Sequence, residues 1–241
     1  MARILLGVTG SVAAIRVPAL FQALRSLDHE VRVVATEPAL YFFDPAELVE
    51  AESAADSSGP LFRDRDEWPG LRYRRGDPVL HIEFRKWADL LLVAPLDANT
   101  LAKFALGLCD NLLSCLFRAW DFEKPVVLAP AMNTFMWQSP VTARHLGQLL
   151  LDRGQSATLP PDWGLETAAA AFARLAPQII LVPPQSKRLA CGDIGIGAMA
   201  EVATIAEAVR SWAERAAAEL EPELRESLMP SGHPRAQEPP G

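Results

Sequence analysis

Short, continuously apolar runs recur along the chain and are separated by segments with helical patterns. The runs cover residues 3–8, 30–36, 89–95, 125–130 and 178–184. A run of this length without polar alternation is typical of a strand that is buried on both faces of a parallel sheet. The intervening segments that predict helices are 11–27, 98–108, 109–120 and 140–153. This alternation predicts an α/β protein with a single Rossmann-like (flavodoxin-like), doubly wound parallel sheet.

Three segments depart from this pattern. Residues 50–78 are polar and irregular, which predicts an excursion on the surface. Residues 154–177 contain an alanine-rich stretch that predicts a short helix after Trp163. The end of the chain, from 213 to 241, is rich in charge and finally in proline, which is typical of a disordered tail.

Composition and charge narrow the class of protein. Half of the 241 residues are hydrophobic, which is enough for a full core. The net charge of −7, without a basic stripe, argues against a nucleic-acid partner. No run approaches the roughly 20 apolar residues that cross a bilayer, and the first residues lack a secretory pattern. We therefore expect a cytoplasmic protein without a membrane partner. The cysteines and histidines show no paired spacing of metal ligands, so no metal is predicted.

Polar turns follow the predicted strands, at the edge where doubly wound sheets bind ligands. In "GVTGSVAA", Gly10 and Ser11 would leave backbone N–H groups at a helix N-terminus. Such groups suit a phosphate, although an ordinary strand-to-helix turn needs the same residues. In "APAMNTFMW", Asn133 either binds a ligand carboxylate or caps a helix.

Two side chains with reactive groups stand out. His81 precedes the basic pair of "HIEFRKW" and is either a base or a structural histidine. Cys191 lies in "QSKRLACGDIGIGAM", close in sequence to two cations that would favour its thiolate. Cys109 and Cys115 lie in a helical pattern that favours core packing instead. The residues alone leave both interpretations of His81 and Cys191 open.

Five segments, taken together and in order, resemble the homo-oligomeric flavin-containing cysteine decarboxylases. This family includes phosphopantothenoylcysteine decarboxylases and plant halotolerance flavoproteins. The matching segments are "GSVAA", "DPVLHIEFRKWADLLLVAPLDANTLAK", "GLCDNLL", "RAWDFEKPVVLAPAMNTFMW" and "KRLACGDIGIGAMAE". The resemblance implies a flavoprotein domain over residues 1–212, with an insertion at 154–177 and the tail at 213–241 outside it. One departure is Lys86, which stands where plant relatives carry arginine.

The resemblance also implies the residues of the site. FMN would be contacted by Gly10, Ser11, Val12, Thr36, Glu37, Asp97, Ala98, Asn99, Thr100 and Ala131. The substrate would be held by Asn133 and Met136, and by a clasp made of Arg188, Leu189 and Ala190. His81 would be the catalytic base, and Cys191 the acid that finishes the reaction. FMN would lie between the subunits of a homotrimer or a multiple of it.

The reaction that the resemblance implies is the FMN-dependent decarboxylation of 4′-phosphopantothenoylcysteine to 4′-phosphopantetheine, in coenzyme A biosynthesis. In the family mechanism, oxidation of the carbon that bears sulfur gives a thioaldehyde, which accepts the electrons as carbon dioxide leaves. Cys191 would then protonate the remaining enethiolate.

Two other functions stay open at this point. A peptidyl-cysteine decarboxylase would stop at an enethiol, and segment 154–177 would reshape its pocket for a peptide. Cys191 argues against that branch, whose known members lack this cysteine. A non-catalytic regulatory flavoprotein is the third interpretation, and the short tail of mixed charge argues against it.

Overall fold

The strands of a parallel sheet form the centre of the protein. The computed structural model describes residues 1–48, 59–188 and 194–227. Within these ranges the sheet strands are β1 (Arg3–Val8), β2 (Glu30–Ala35), β3 (Leu61–Arg63), β4 (Leu90–Leu96), β5 (Val126–Pro130) and β6 (Ile179–Leu181). They are parallel and lie in the order β3-β2-β1-β4-β5-β6. The doubly wound sheet predicted from the sequence is therefore confirmed.

Helices and one hairpin complete the fold. The helices are α1 (Val17–Arg25), α2 (Asp64–Glu67), α3 (Leu80–Trp87), α4 (Ala98–Leu106), α5 (Leu112–Ala119), α6 (Thr134–Trp137), α7 (Pro140–Gly154), α8 (Ala168–Leu175) and α9 (Val202–Ser227). Short 3-10 helices cover Val12–Arg16, Glu37–Tyr41 and Pro45–Leu48. An antiparallel hairpin pairs β7 (Gln185–Arg188) with β8 (Ile194–Ala198).

The core has two halves, one on each face of the sheet. On the first face, α1 and α9 cover the alternate strand residues that include Ile4, Leu6 and Val8. On the second face, α3, α4, α5, α7 and α8 cover the set that includes Leu5 and Leu91. Because both sets are buried, the strands appear in the sequence as unbroken apolar runs.

The chain changes direction between β1 and β4. From β1 it winds outward through β2 to β3, and it then returns to β4 on the other side of β1. The turns that follow β1 and β4 consequently diverge, which opens a crevice at the carboxyl edge of the sheet. This crevice is where the fold itself places a ligand site.

Two predictions about the irregular segments are corrected, and one is confirmed. The excursion predicted for 50–78 contains β3 and α2, and β3 escaped prediction because an edge strand is only half-buried. In 154–177, the short helix predicted after Trp163 is confirmed as α8, whose Ala168 and Phe172 are fully buried against the core. Helix α9 continues to Ser227, past the predicted start of the tail, while 228–241 lie outside the described residues. No helix in the described part of the chain is long and apolar enough to span a membrane.

Candidate active site

The turns that follow β1, β2 and β4 are tied together at the carboxyl edge. The Thr9 hydroxyl donates to the Pro95 carbonyl at 2.8 Å and accepts from the Asp97 backbone N–H, also at 2.8 Å. At Gly10, a Cβ atom would lie 2.6 Å from Cβ of Pro38 and 3.6 Å from Oδ2 of Asp97. Glycine therefore lets the three turns approach more closely than any other residue allows. The residues predicted to contact FMN from these turns are thus neighbours in space.

The same turns begin helices that carry their own caps. The Ser11 hydroxyl accepts from the Ala13 backbone N–H at 3.3 Å, and Asp97 Oδ1 accepts from the Thr100 backbone N–H at 2.7 Å. Ala131, after β5, donates its backbone N–H to the Leu96 carbonyl at 2.9 Å. Ser11 and Asp97 therefore cap their helices, and they also lie around the crevice.

The donors at this edge fit the parts of a flavin mononucleotide. Backbone N–H groups at helix N-termini and the partly exposed Ser11 suit the phosphate. Val12 and Ile15 are exposed on the 3-10 helix beside it, which gives apolar surface for a ring system. Gly10 itself adds no side chain to this turn.

His81 lies at the same edge, in the first turn of α3. Helix α3 runs back from this edge to the start of β4, so its N-terminus faces the turns described above. The imidazole Nδ1 lies 2.5 Å from Oε1 of Glu67. The His81 backbone N–H donates to Oε2 of the same carboxylate at 3.1 Å. The side chain of Glu67 is only 4% exposed, whereas that of His81 is 23% exposed.

Glu67 is a functional candidate that the sequence analysis missed. It lies in the polar segment 50–78, where "RDRDEW" offers three acidic residues without a pattern that singles one out. The signal that identifies it is tertiary, because only the fold shows which carboxylate is buried against His81.

Helix α2 also connects the β2 turn to α5. Asp64 Oδ2 accepts from the Glu37 backbone N–H, and Oδ1 accepts from the Leu112 backbone N–H, both at 3.3 Å. Burial raises the pKa of Asp64 above its usual value, against these two hydrogen bonds, which lower it. The α2 segment therefore supports both the β2 turn and His81.

Asn133 caps α6, with Oδ1 accepting from the Met136 backbone N–H at 2.8 Å. The cap uses the oxygen, which leaves the amide nitrogen of this exposed residue as a donor for a ligand. Met136 is exposed beside it.

The hairpin packs directly on this turn through two glycines. The Met132 backbone N–H donates to the Gly197 carbonyl at 2.9 Å. A Cβ at Gly197 would overlap the Met132 carbonyl oxygen, and a Cβ at Gly195 would overlap the Thr134 hydroxyl. Gly195 and Gly197, which follow Cys191 in the sequence, thus let β8 lie against the Asn133 turn.

Glu201 ties the base of the hairpin to the β1 turn. Its carboxylate accepts from Arg16 at 2.6 Å, from Gln185 at 2.8 Å and from Lys187 at 3.0 Å. Hydrogen bonds from Arg16 first, and then from Lys187 and Gln185, lower the pKa of Glu201 to about 2.

Not every predicted site residue is placed. Leu189, Ala190 and Cys191 lie outside the described residues, and only the backbone of Arg188 is described, in β7. Within the ranges that are described, no hydrogen bond joins His81 to Asn133, which follow strands on opposite sides of β1 and β4. One chain therefore presents the two groups at separate ends of the crevice edge.

Two further features lie away from this edge or differ from prediction. A polar concavity is lined by residues of α4, α5 and α7 that include Lys103, Arg118 and Arg153, and it contains none of the predicted site residues.

Cys109 is exposed, so its predicted core packing is wrong, because it lies in the loop before α5. Cys115 is partly buried, and burial first, then Cys109 and Glu67, raise its pKa to about 11.

Comparison with known proteins gives a consistent result. The flavoprotein family matches residues 1–214. Phosphopantothenoylcysteine decarboxylase of Mus musculus is 46% identical over 210 residues, which cover 87% of this chain and 86% of the mouse protein.

Solved structures agree. A cysteine-to-serine mutant of PPC decarboxylase complexed with pantothenoylaminoethenethiol has a TM-score of 0.69 and 43% identity, covering 88% of this chain and 98% of that one. The FMN binding protein AtHal3 has a TM-score of 0.66 and 45% identity, covering 89% and 97%. With these matches over most of its length, the chain belongs to the flavoprotein family, among the phosphopantothenoylcysteine decarboxylases.

Proposed function

We propose that this protein is an FMN-dependent carboxy-lyase that converts 4′-phosphopantothenoylcysteine to 4′-phosphopantetheine in coenzyme A biosynthesis. The observation that carries the proposal is the position of His81. It lies at the edge of the sheet where the turns after β1, β2 and β4 meet, in a chain that belongs to this family. A flavin held by those turns and a base beside them are the two groups that the reaction needs.

The resemblance and the shape of the edge support our assignment of the cofactor residues. We assign the phosphate to the turn Gly10–Val12 and the adjoining contacts to Thr36, Glu37, the turn Asp97–Thr100 and Ala131. When bound, FMN would supply a reversible two-electron oxidation of the carbon that bears sulfur, which makes this carbon an electron sink for the loss of carbon dioxide.

The side chains of this chain do the rest of the chemistry. His81 accepts the thiol proton of the cysteinyl substrate, so that the sulfur can share its electrons as the neighbouring carbon is oxidised. The amide nitrogen of Asn133 donates to the substrate carboxylate, and Met136 packs beside it. After carbon dioxide has left, Cys191 donates a proton to the enethiolate. Formation of the saturated thiol also requires the two electrons taken in the oxidation, which reduced FMN would return. The roles of Arg188, Leu189, Ala190 and Cys191 remain predictions from the resemblance.

The assembly completes the site in this proposal. His81 and Asn133 lie at separate ends of the edge in one chain, and we infer that neighbouring subunits of a homotrimer bring them to one substrate. Exposed apolar side chains close to the site support an interface there; they are Val12, Ile15, Phe135, Met136 and Val141. Light scattering should give three times the chain mass of 26.3 kDa, or a multiple of that value. We further expect the enzyme to be cytoplasmic.

The small substrate is preferred to a cysteinyl peptide. Segment 154–177 was the main reason to keep a cysteinyl peptide as an alternative substrate. In the structure its apolar side chains are packed into the core, since α8 lies on α7 and β6, and Leu159 and Trp163 lie against Gly147. This packing gives the segment a structural role and removes the main support for a pocket reshaped by it.

The test is turnover by the purified protein. We expect a yellow preparation with flavin absorption bands, release of carbon dioxide from 4′-phosphopantothenoylcysteine and a saturated thiol product. His81→Asn should keep the flavin and lose about 1000-fold or more in kcat, as expected for removal of a general base. Turnover of a C-terminal cysteine peptide alone would establish the peptidyl reaction instead. Accumulation of an enethiol would contradict the role of Cys191.

A further inference from the structure

Among the described residues, Glu67 is the most deeply buried carboxylate near the proposed site, and the function described above does not use it. Removing a charged carboxylate from water is costly unless the protein supplies partners. Both partners of Glu67 in the described residues are on His81, namely its backbone N–H at 3.1 Å and its Nδ1 at 2.5 Å. A glutamate that directs both oxygens to one histidine is placed to control that histidine.

The hydrogen bond from the His81 backbone N–H to Glu67 replaces a helix cap that the sequence of α3 lacks. The residue at the N-cap position is Val79, whose side chain has no group to accept a hydrogen bond. Oε2 of Glu67 accepts the His81 N–H in the first turn and so does what a capping side chain does elsewhere. A negative charge at this end of a helix is also favourable to the helix dipole. The same carboxylate therefore fixes the backbone of His81 as well as its ring.

The hydrogen bond between His81 Nδ1 and Glu67 Oε1 decides which imidazole nitrogen can act as a base. An ionised carboxylate only accepts hydrogen bonds, so Nδ1 must carry the proton in this pair. In the neutral ring the lone pair then lies on Nε2. The side chain of His81 is 23% exposed while that of Glu67 is 4% exposed, so the ring is open to its surroundings on a side that Glu67 does not occupy.

No other charge in the described surroundings competes for Glu67. Among the ion pairs described, its partner is His81 alone. Cys115 of α5 lies near enough to interact with Glu67, but with a pKa raised to about 11 its thiol is neutral at physiological pH. On α3 itself, Arg85 is directed to the Ala119 carbonyl, and Lys86 and Glu83 are exposed.

We propose that Glu67 is a positioning residue that holds His81 as its Nδ1–H tautomer and leaves Nε2 as the base for the substrate thiol. The chemical role of Nε2 rests on the proposed function, whereas the tautomer and the hold on the ring do not. Glu67 also stabilises the imidazolium that forms when Nε2 takes the proton, because the carboxylate lies against the charged ring.

The kinetic test is Glu67→Gln in the FMN-loaded enzyme. The amide keeps the size of the side chain and one acceptor for the His81 N–H, but it loses the charge. We expect kcat to fall about 100-fold or more while KM changes less than about threefold and the flavin content stays at the wild-type level. Glu83→Gln is the matched control, since it removes an exposed carboxylate from the turn of α3 that carries His81. This variant should keep wild-type kcat. A Glu67→Gln enzyme with kcat within threefold of wild type would overturn the proposal.

A second measurement needs neither turnover nor a stable variant at position 67. Nitrogen-15 NMR of the wild-type protein, labelled at histidine, distinguishes a protonated ring nitrogen from an unprotonated one. The His81→Asn protein identifies the His81 signals by their disappearance. We expect a protonated Nδ1 and an unprotonated Nε2 at a pH where the ring is neutral. An Nε2–H tautomer, or an even mixture of the two, would refute the positioning role even if Glu67→Gln failed to fold.

The two measurements separate failure of this inference from failure of the proposed function. If the wild-type protein released no carbon dioxide, the proposed reaction would be wrong, and the NMR result would still decide the tautomer. If the wild-type protein is active and Glu67→Gln matches it, the reaction stands and the role of Glu67 is rejected.

Discussion

The two ends of the proposed site are held in different ways. At one end, His81 is fixed by Glu67, a residue 14 positions away in the chain that reaches it through two hydrogen bonds. At the other end, Asn133 is fixed by its own cap on α6 and by the close approach of Gly197. The position of His81 therefore depends on the charge of Glu67 and on a protonation state. The position of Asn133 depends on local backbone geometry and on the absence of a side chain at Gly197.

Because of this difference, we expect different kinds of substitution to disrupt the geometry of the two ends. The His81 end should respond to loss of a charge with little change in size, as in Glu67→Gln. The Asn133 end should respond to added volume and should tolerate a change of charge as long as a capping oxygen remains. The following three predictions test the Asn133 end and its link to the rest of the site.

The largest expected effect is that of Gly197→Ala. The new Cβ would overlap the Met132 carbonyl oxygen, and φ of +141° is a conformation that alanine rarely adopts. We expect a loss of roughly 2–4 kcal/mol in the free energy of unfolding, from strain and overpacking together. Urea denaturation measures it.

Gly76→Ala is the matched control for that change. Gly76 also has a positive φ, +103°, but nothing lies within 4 Å of its Cβ position. It should therefore show the backbone strain alone, at about 1 kcal/mol. Equal losses in the two variants would mean that the contact between β8 and the Asn133 turn contributes nothing, and the comparison between the two ends would lose its basis.

An intermediate effect is expected for Asn133→Asp. A carboxylate oxygen can still accept from the Met136 N–H, so the thermal midpoint should stay close to that of wild type. The amide donor is lost and a negative charge faces the substrate carboxylate, so KM should rise by about tenfold or more.

Asn133→Ser separates these two contributions. Serine keeps a capping oxygen without adding charge, and KM should rise less than in Asn133→Asp. An unchanged KM in both variants would show that Asn133 is a cap and does not bind the substrate.

The smallest effect is expected for Glu201→Gln, which weakens the tie between the hairpin base and the β1 turn. The folded-state pKa of about 2 lies below the ordinary value of 4.5, so the carboxylate stabilises the fold above pH 4.5 and loses this contribution as the pH falls towards 2. The side chains of Arg16 and Glu201 are 34% and 41% exposed, so solvent screens this ion pair and the loss of thermal midpoint at pH 7 should be small. It should shrink further between pH 4.5 and pH 2.

Glu207→Gln is the control for the hairpin tie. Glu207 is also exposed, and its pKa is lowered by hydrogen bonds from Arg210 and Ser211 within α9. Its replacement should leave KM unchanged, whereas Glu201→Gln should raise KM slightly because the hairpin adjoins Asn133. Identical kinetics in the two variants would argue against a functional role for the tie.

The sequence by itself determined the sheet and much of the Asn133 end. The strands were predictable because burial on both faces leaves them with few polar residues, as in β1 and β4. Asn133, Asp97 and Ser11 were predictable as caps because each bonds to a backbone group only two or three positions away. The resemblance, carried by long segments in order, gave the family, and the comparisons confirmed it.

Segments without a strong local signal were predicted less well. Strand β3 has a single sheet neighbour and only half-buried side chains, and α3 begins without a capping residue. The extension of α9 beyond residue 212 was not predicted, because a high content of charged residues is also typical of disordered segments. Its alanine, glutamate and arginine residues instead favour helix, and Arg210 pairs with Glu214 one turn on.

Only the tertiary structure decided how His81 is held. Glu67 and His81 are separated by an irregular segment whose composition does not indicate which acidic residue turns inward. The choice is made when Phe62 of β3 packs against Phe84 of α3, with ring centroids 4.6 Å apart, because this contact brings the end of α2 to the start of α3. Caps are short-range and are encoded in adjacent residues, whereas a buried carboxylate–imidazole pair exists only after two distant segments have packed together.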